Sequence, residues 1–243
     1  YEYTVATEMY SAGIDRLTHQ PLSFSVSETT EGVHIHIIDA ELMGKGEKEK
    51  KDLYIEGVQN NGIINHYEYI INSEGTIEIR HVLKPEGKMP LWFPRIGLTL
   101  TVSDALDQVK WYGRGPQENY PDRKTGYPTG IYASTVQAMY EPYLMPQDYG
   151  LRTDVRWLQL TTDKGIGLQF KMNEWFNFNI YPYSTDNLTK AMYTYQLQKQ
   201  KGMTLNLDYA TTGVGCTARG VFGAYKAMPQ EYRRTISIRP MMK

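Results

Sequence analysis

Apolar and polar residues alternate along short stretches of this chain, and almost no segment repeats with the period of a helix. Leu22-Ser23-Phe24-Ser25-Val26 and Val33-His34-Ile35-His36-Ile37 are the clearest cases. Successive side chains of a strand point to opposite faces, so a period of two predicts strands that are half-buried. Similar signals recur at residues 1–5, 67–71, 76–83, 95–102, 109–112, 130–135, 155–161, 165–171, 176–180, 205–209 and 232–238. Glu74-Gly75 marks a turn between two of them. Many short strands punctuated by Gly and Pro predict an all-β fold, a large antiparallel β-sandwich. One short helix is expected where Ser184, Thr185 and Asp186 offer capping oxygens ahead of Leu188, Ala191 and Met192. With no low-complexity linker and no internal repeat, residues 1–243 read as a single domain.

Composition narrows the picture. A length of 243 residues is ample for a sizeable core. Twenty-six Lys and Arg stand against 27 Asp and Glu, for a net charge of −1, so no long-range basic field exists to hold nucleic acid. No apolar run approaches the roughly 20 residues of a membrane helix, and no basic-then-apolar leader opens the chain. The single cysteine, Cys216, excludes an internal disulfide. The charged run at 44–52 reads as an exposed hairpin loop. His34 and His36 share a strand face, but no third ligand lies nearby in sequence, so they read as solvent-face histidines. The unusual feature is twenty tyrosines, with four Trp and six Phe. Tyrosine suits strands, interfaces and sugar-facing clefts alike.

The densest chemistry lies in Trp111-Tyr112-Gly113-Arg114-Gly115-Pro116-Gln117-Glu118-Asn119-Tyr120-Pro121-Asp122-Arg123. Its prolines and glycines after a strand predict a loop of fixed geometry. No Lys-Ser/Thr pair or following helix accompanies Gly113 and Gly115, so this is not a phosphate loop. Arg114, Glu118, Asp122 and Arg123 have two readings: a paired network that locks the loop, or a polar wall of a sugar cleft. A second segment, residues 139–152 (MYEPYLMPQDYGLR), again sets Pro and Gly among aromatics and charges. A third, 205–215 (LNLDYATTGVG), leaves a strand for a glycine-bearing turn.

In this order GPQENYPDR, MYEPYLMPQDYGLR, FNFNIYPYS and LNLDYATTGVG resemble the C-terminal domain of β-galactosidases of glycoside hydrolase family 2. The likeness is best from about Ile96 to the end. It implies the so-called supersandwich, also seen in galactose mutarotases. It further implies a chain excised from a longer enzyme, in keeping with a first strand that starts at Tyr1, whose other domains include a catalytic (β/α)8 barrel. A retaining glycosidase needs two carboxylates about 5 Å apart. In the family both come from the barrel, so the resemblance implies no catalytic residue here. Mg2+ and Na+ are the cofactors it implies for the parent enzyme, with none in this chain. Asn173-Glu174 matches the acid/base dipeptide of the enzyme clan, but it is expected in a turn between two antiparallel strands and is not read as catalytic. The family's sugar-stacking tryptophan follows the GxG turn. Here Gly213-Val214-Gly215 is followed by Cys216-Thr217-Ala218-Arg219-Gly220, with Gly220 at the position of that tryptophan. Either another aromatic, Tyr149 or Phe222, takes over, or the pocket is more open. The resemblance therefore sets Cys216, Arg219, Gly220 and Tyr149 at a substrate rim.

The function expected is that of an accessory domain of a β-galactosidase. It would complete the cleft for terminal β-D-galactosides or related oligosaccharides and stabilise the barrel. Its partners would be the other domains of the parent chain, in a homo-oligomer. Both a bacterial cytoplasm and a periplasm stay open. The alternative is a free-standing carbohydrate-binding module. A mutarotase-like isomerase would need a histidine and a carboxylate in one cleft, and all five histidines precede the recognisable motifs.

Overall fold

The computed structural model describes residues 12–43, 61–215 and 220–242. The strand expected at 1–5, the charged run at 44–52, Cys216 and Arg219 lie outside the described residues. The chain divides into two compact units, Tyr1–Pro94 with Val214–Ser237, and Arg95–Gly213 with Ile238–Lys243.

The first unit is built on an antiparallel meander: β1 (Thr18–Thr29), β2 (Gly32–Leu42), β3 (Gly62–Ile71) and β4 (Ile77–Glu86). β11 (Tyr232–Met241) lies beside β4. The turns are local chemistry: Asn72 accepts the backbone N–H groups of Glu74 and Thr76, each at 3.0 Å, and Gly75 takes φ 76°. The expectation for β1 needs correction. Leu22 is partly buried, but Phe24 is 68% and Val26 54% exposed. Alternation sets which residues share a face; it does not supply a neighbour to cover that face.

The second unit holds β5 (Arg95–Val102), β6 (Gln108–Arg114), β7 (Thr129–Thr135), β8 (Arg152–Thr161), β9 (Gly167–Tyr181) and β10 (Met203–Thr211). Two antiparallel runs order it, β7-β6-β8-β9 and β9-β10-β5. Its core is Trp111, Leu151, Val155, Leu158, Phe170, Phe176, Phe178, Leu205 and Leu207, each at most 1% exposed. The expected turn at Asn173-Glu174 is instead a bulge. β9 runs on as one strand, and between the pairs Trp157–Lys171 and Val155–Phe176 it carries extra residues that β8 lacks. A bulge absorbs surplus residues without ending the strand.

The expected helix is present as α1 (Thr185–Lys190). The Ser184 hydroxyl accepts from the Asn187 N–H at 3.0 Å, and Leu188 is buried. Eleven antiparallel strands and one six-residue α-helix among the described residues make the chain all-β.

Candidate functional site

Two buried polar networks organise the second unit. The first ties the loop after β6 to the segment that enters β8. Asn119 is fully buried; its Oδ1 accepts from Thr153 N at 3.1 Å and Thr153 Oγ1 at 2.5 Å, while its own N–H donates to Leu151 O at 2.8 Å. Glu118 accepts from the hydroxyls of Tyr143 and Tyr120 and, at 2.8 Å, from the N–H of Gly150. Burial, then the adjacent Glu118, pushes both phenols well above their ordinary range, so they stay protonated donors. Arg152 caps the loop from below, donating to Pro116 O at 3.0 Å and Gly150 O at 2.9 Å, with its guanidinium 5.5 Å from the Trp111 ring centre. Burial lowers this guanidinium to about 10, against the pull of Glu141 and Glu118.

Arg114 closes the other end of the loop. It donates to Asp154 at 2.6 Å and to the carbonyls of Lys124 and Tyr127, while Lys124 reaches the second Asp154 oxygen at 2.5 Å. Burial alone would raise the Asp154 carboxyl, but hydrogen bonds from Lys124 and Arg114 bring it below its ordinary value. Asp122 lies against the third segment: a Cβ on Gly213 would fall 2.4 Å from its carboxyl carbon. Arg123 is exposed, and its backbone N–H donates to Tyr120 O at 2.8 Å.

The second network runs across β5, β10 and β9. Register sets Asn206 opposite both Thr99 and Asn179, and Asp208 opposite Gly97 and Asn177. Arg95 forks onto Asp208 at 3.1 and 2.6 Å and reaches Asn179 at 3.1 Å. Asn179 in turn donates to Asp148 at 2.9 Å, which is the exposed end of the chain of bonds. Burial raises the Asp208 carboxyl, opposed by Arg95.

Of the residues singled out in sequence, Arg114 and Glu118 thus hold the loop through hydrogen bonds, and Asp122 lies against Gly213. Tyr149 is 2% exposed, in a cluster with Tyr181 and Leu188. Phe222 is 71% exposed, and among the described residues nothing lies within 4 Å of where a Cβ on Gly220 would point. Glu174 and its neighbour Trp175 stand on the exposed bulge of β9. Asp154, Arg95 and Asn179 were not foreseen. The signal for the last was present in FNFNIY and LNLDY, whose polar positions are spaced by two on neighbouring strands.

Charges paired in this way across strands and loops mark an all-β protein whose second unit holds its loops in set positions. The profile of the family described as β-galactosidase small chain matches residues 7–238, and the chain belongs to that family. It is 38% identical over 147 residues to a β-galactosidase of Priestia megaterium, covering 60% of this chain and 14% of that protein. With a β-galactosidase of Vibrio cholerae it shares 31% identity over 207 residues, 85% of this chain and 18% of that protein. The chain therefore spans less than a fifth of these curated relatives. A solved GalM/aldose epimerase homologue from C. elegans aligns at TM-score 0.42 and 12% identity, over 90% of this chain and 69% of that one.

Proposed function

We propose that this chain is the accessory C-terminal domain of a glycoside hydrolase family 2 β-galactosidase acting on terminal β-D-galactosides. It shapes the rim of the substrate cleft and braces the catalytic barrel, and contributes no catalytic carboxylate. The observation that carries the reading is membership of the small-chain family in a chain covering 14–18% of relatives named β-galactosidase. The state of the carboxylates supports it: Glu118, Asp154 and Asp208 each have hydroxyls, amides or cations as fixed partners. A retaining pair must instead be free to attack and to carry a proton.

The rim reading of Cys216, Arg219 and Gly220 is supported by the exposed ring of Phe222 and by the space left at Gly220 by the described residues. Phe222, not the buried Tyr149, is the aromatic that can lie on a sugar. A rim contact made equally in ground and transition states changes KM and leaves kcat nearly untouched. In the full-length enzyme Phe222→Ala and Arg219→Ala should raise KM several-fold with little loss of kcat. Gly220→Trp should tighten galactose inhibition, by about 1 kcal/mol for a flat stack. Unchanged KM and unchanged galactose inhibition in all three would remove this segment from the rim.

A further inference from the structure

We propose that His34, His36 and Glu68 form a binding site for a divalent transition-metal ion of the zinc class, independent of any role in sugar binding. His34 and His36 are two apart on β2 and so share a face, and the β2–β3 register sets His36 directly opposite Glu68. Each of the three offers one ligand atom, and these atoms all lie within 4.8 Å of one another. The imidazoles are near-parallel, with ring centres 6.4 Å apart. The third ligand that the local sequence lacks comes from the neighbouring strand.

The carboxylate is already oriented. Glu68 Oε2 accepts from Arg80 Nη1 at 3.1 Å, and Arg80 is fixed in turn by Glu78 at 2.8 Å. That leaves Oε1 facing His34 Nδ1 at 3.6 Å, too long for a hydrogen bond. The His34 side chain is only 13% exposed, and its Nε2 is buried with no hydrogen-bond partner. An orphaned buried nitrogen of this kind requires an explanation; an ion on Nδ1, beside Glu68, would supply one by fixing Nε2 as the N–H donor that faces Glu31. A ligating imidazole gives one nitrogen to the metal and donates the other N–H to an acceptor, most often a carboxylate. His34 has Glu68 on one side and the carboxylate of Glu31, 4.0 Å from Nε2, on the other.

Donor type selects the ion. Two imidazoles and one carboxylate suit zinc, whereas magnesium and calcium take oxygen donors. Two carboxylates, Glu31 and Glu68, face His34, and the nearby guanidinium of Arg80 is already paired with Glu68 and Glu78, so the local field favours a cation. Three protein ligands leave a fourth, water-filled position, and the ion would tie β2 to β3.

Titration of Zn2+ into chelator-stripped full-length protein tests the proposal. The protein should bind one more Zn2+ per chain than the H34A/H36A variant, and Glu68→Gln should weaken that event more than about tenfold. His19→Ala, in the neighbouring His19–Asp39–Glu41 group, serves as control and should leave it unchanged. Equal stoichiometry and affinity in the parent and the H34A/H36A variant would overturn the site, as would loss of the event in His19→Ala alone. Should the double variant fold poorly, Co2+ serves as probe in the parent and Glu68→Gln. A shifted visible absorption band on losing the carboxylate supports the site, and an identical band rejects it.

Discussion

Arg95 and Asp208 stand 113 residues apart in the chain and meet through two hydrogen bonds, Nε to Oδ1 at 3.1 Å and Nη2 to Oδ2 at 2.6 Å. The pair is possible because Gly97 lies opposite Asp208 on β5: a Cβ there would fall 2.3 Å from Leu207 O and 2.9 Å from the Asp208 carboxylate. A side-chain-free position on one strand makes room for a buried charge on the next.

Arg95→Met should leave Asp208 buried and unpaired, a loss of roughly 3–5 kcal/mol. Urea denaturation followed by tryptophan fluorescence reads this directly. The double variant R95M/D208L should recover most of the loss, because two apolar side chains leave no uncompensated charge. A double variant no more stable than Arg95→Met would mean that the two residues do not act as a pair.

Gly97→Ala should destabilise by about 1–3 kcal/mol, the range for forcing extra atoms into a packed site. The clash is with backbone, which cannot rotate away. Gly165→Ala, where a Cβ meets nothing within 4 Å but φ is 78°, isolates the backbone penalty alone. A thermal midpoint for Gly97→Ala equal to that of the parent would show that β5 and β10 separate easily.

Asn119→Ala removes the acceptor of two Thr153 donors inside the protein. Stranding a buried donor costs about 1–3 kcal/mol. The effect should be local as well as global, with faster proteolysis between Pro116 and Arg123, since Asn119 holds that loop to the β8 entrance. Parent-like thermal stability and cleavage rate would assign the loop's order to Glu118, Arg152 and Arg114 instead.

His81 provides a pH signature. It is 1% exposed, hydrogen-bonded to Asn65 at 3.0 Å and stacked on Tyr67, and burial, then the charge of His66, lowers it to about 4 from 6.5. Between these values the unfolded chain binds the proton and the folded one does not. Stability therefore rises with pH across that window, is complete above about 6.5, and is lost as pH falls through about 4. The full swing is about 3 kcal/mol. In His81→Gln the denaturation midpoint should lose most of its slope between pH 4 and 6.5; an unaltered slope would show that His81 titrates normally.

Most strands were legible because alternation reports geometry, and the cap at Ser184 was legible because its chemistry is local. What alternation does not report is the environment of each face. Asn179, Asn206 and Asp208 occupy positions that a period of two assigns to solvent, yet they are at most 2% exposed. Phe24 and Val26 show the reverse. The loop locks were half visible: Arg114 and Glu118 stood out, but their partners Asp154 and Tyr143 are 40 and 25 residues away, a separation that no local pattern encodes. Asp154 also takes φ 55°, which its residue type alone does not announce.

β10 is buried on both faces from Met203 to Tyr209 and paired along both edges, to β5 on one side and β9 on the other. Its amide hydrogens consequently have no local route to water. Fraying at an end exposes only the outer pairs, and release of Leu205 or Leu207 requires one of the flanking ladders to come away entirely. These amides should therefore exchange with deuterium at the rate set by opening of the whole second unit. The loops that the strand supports would then keep their positions, or lose them, in a single step.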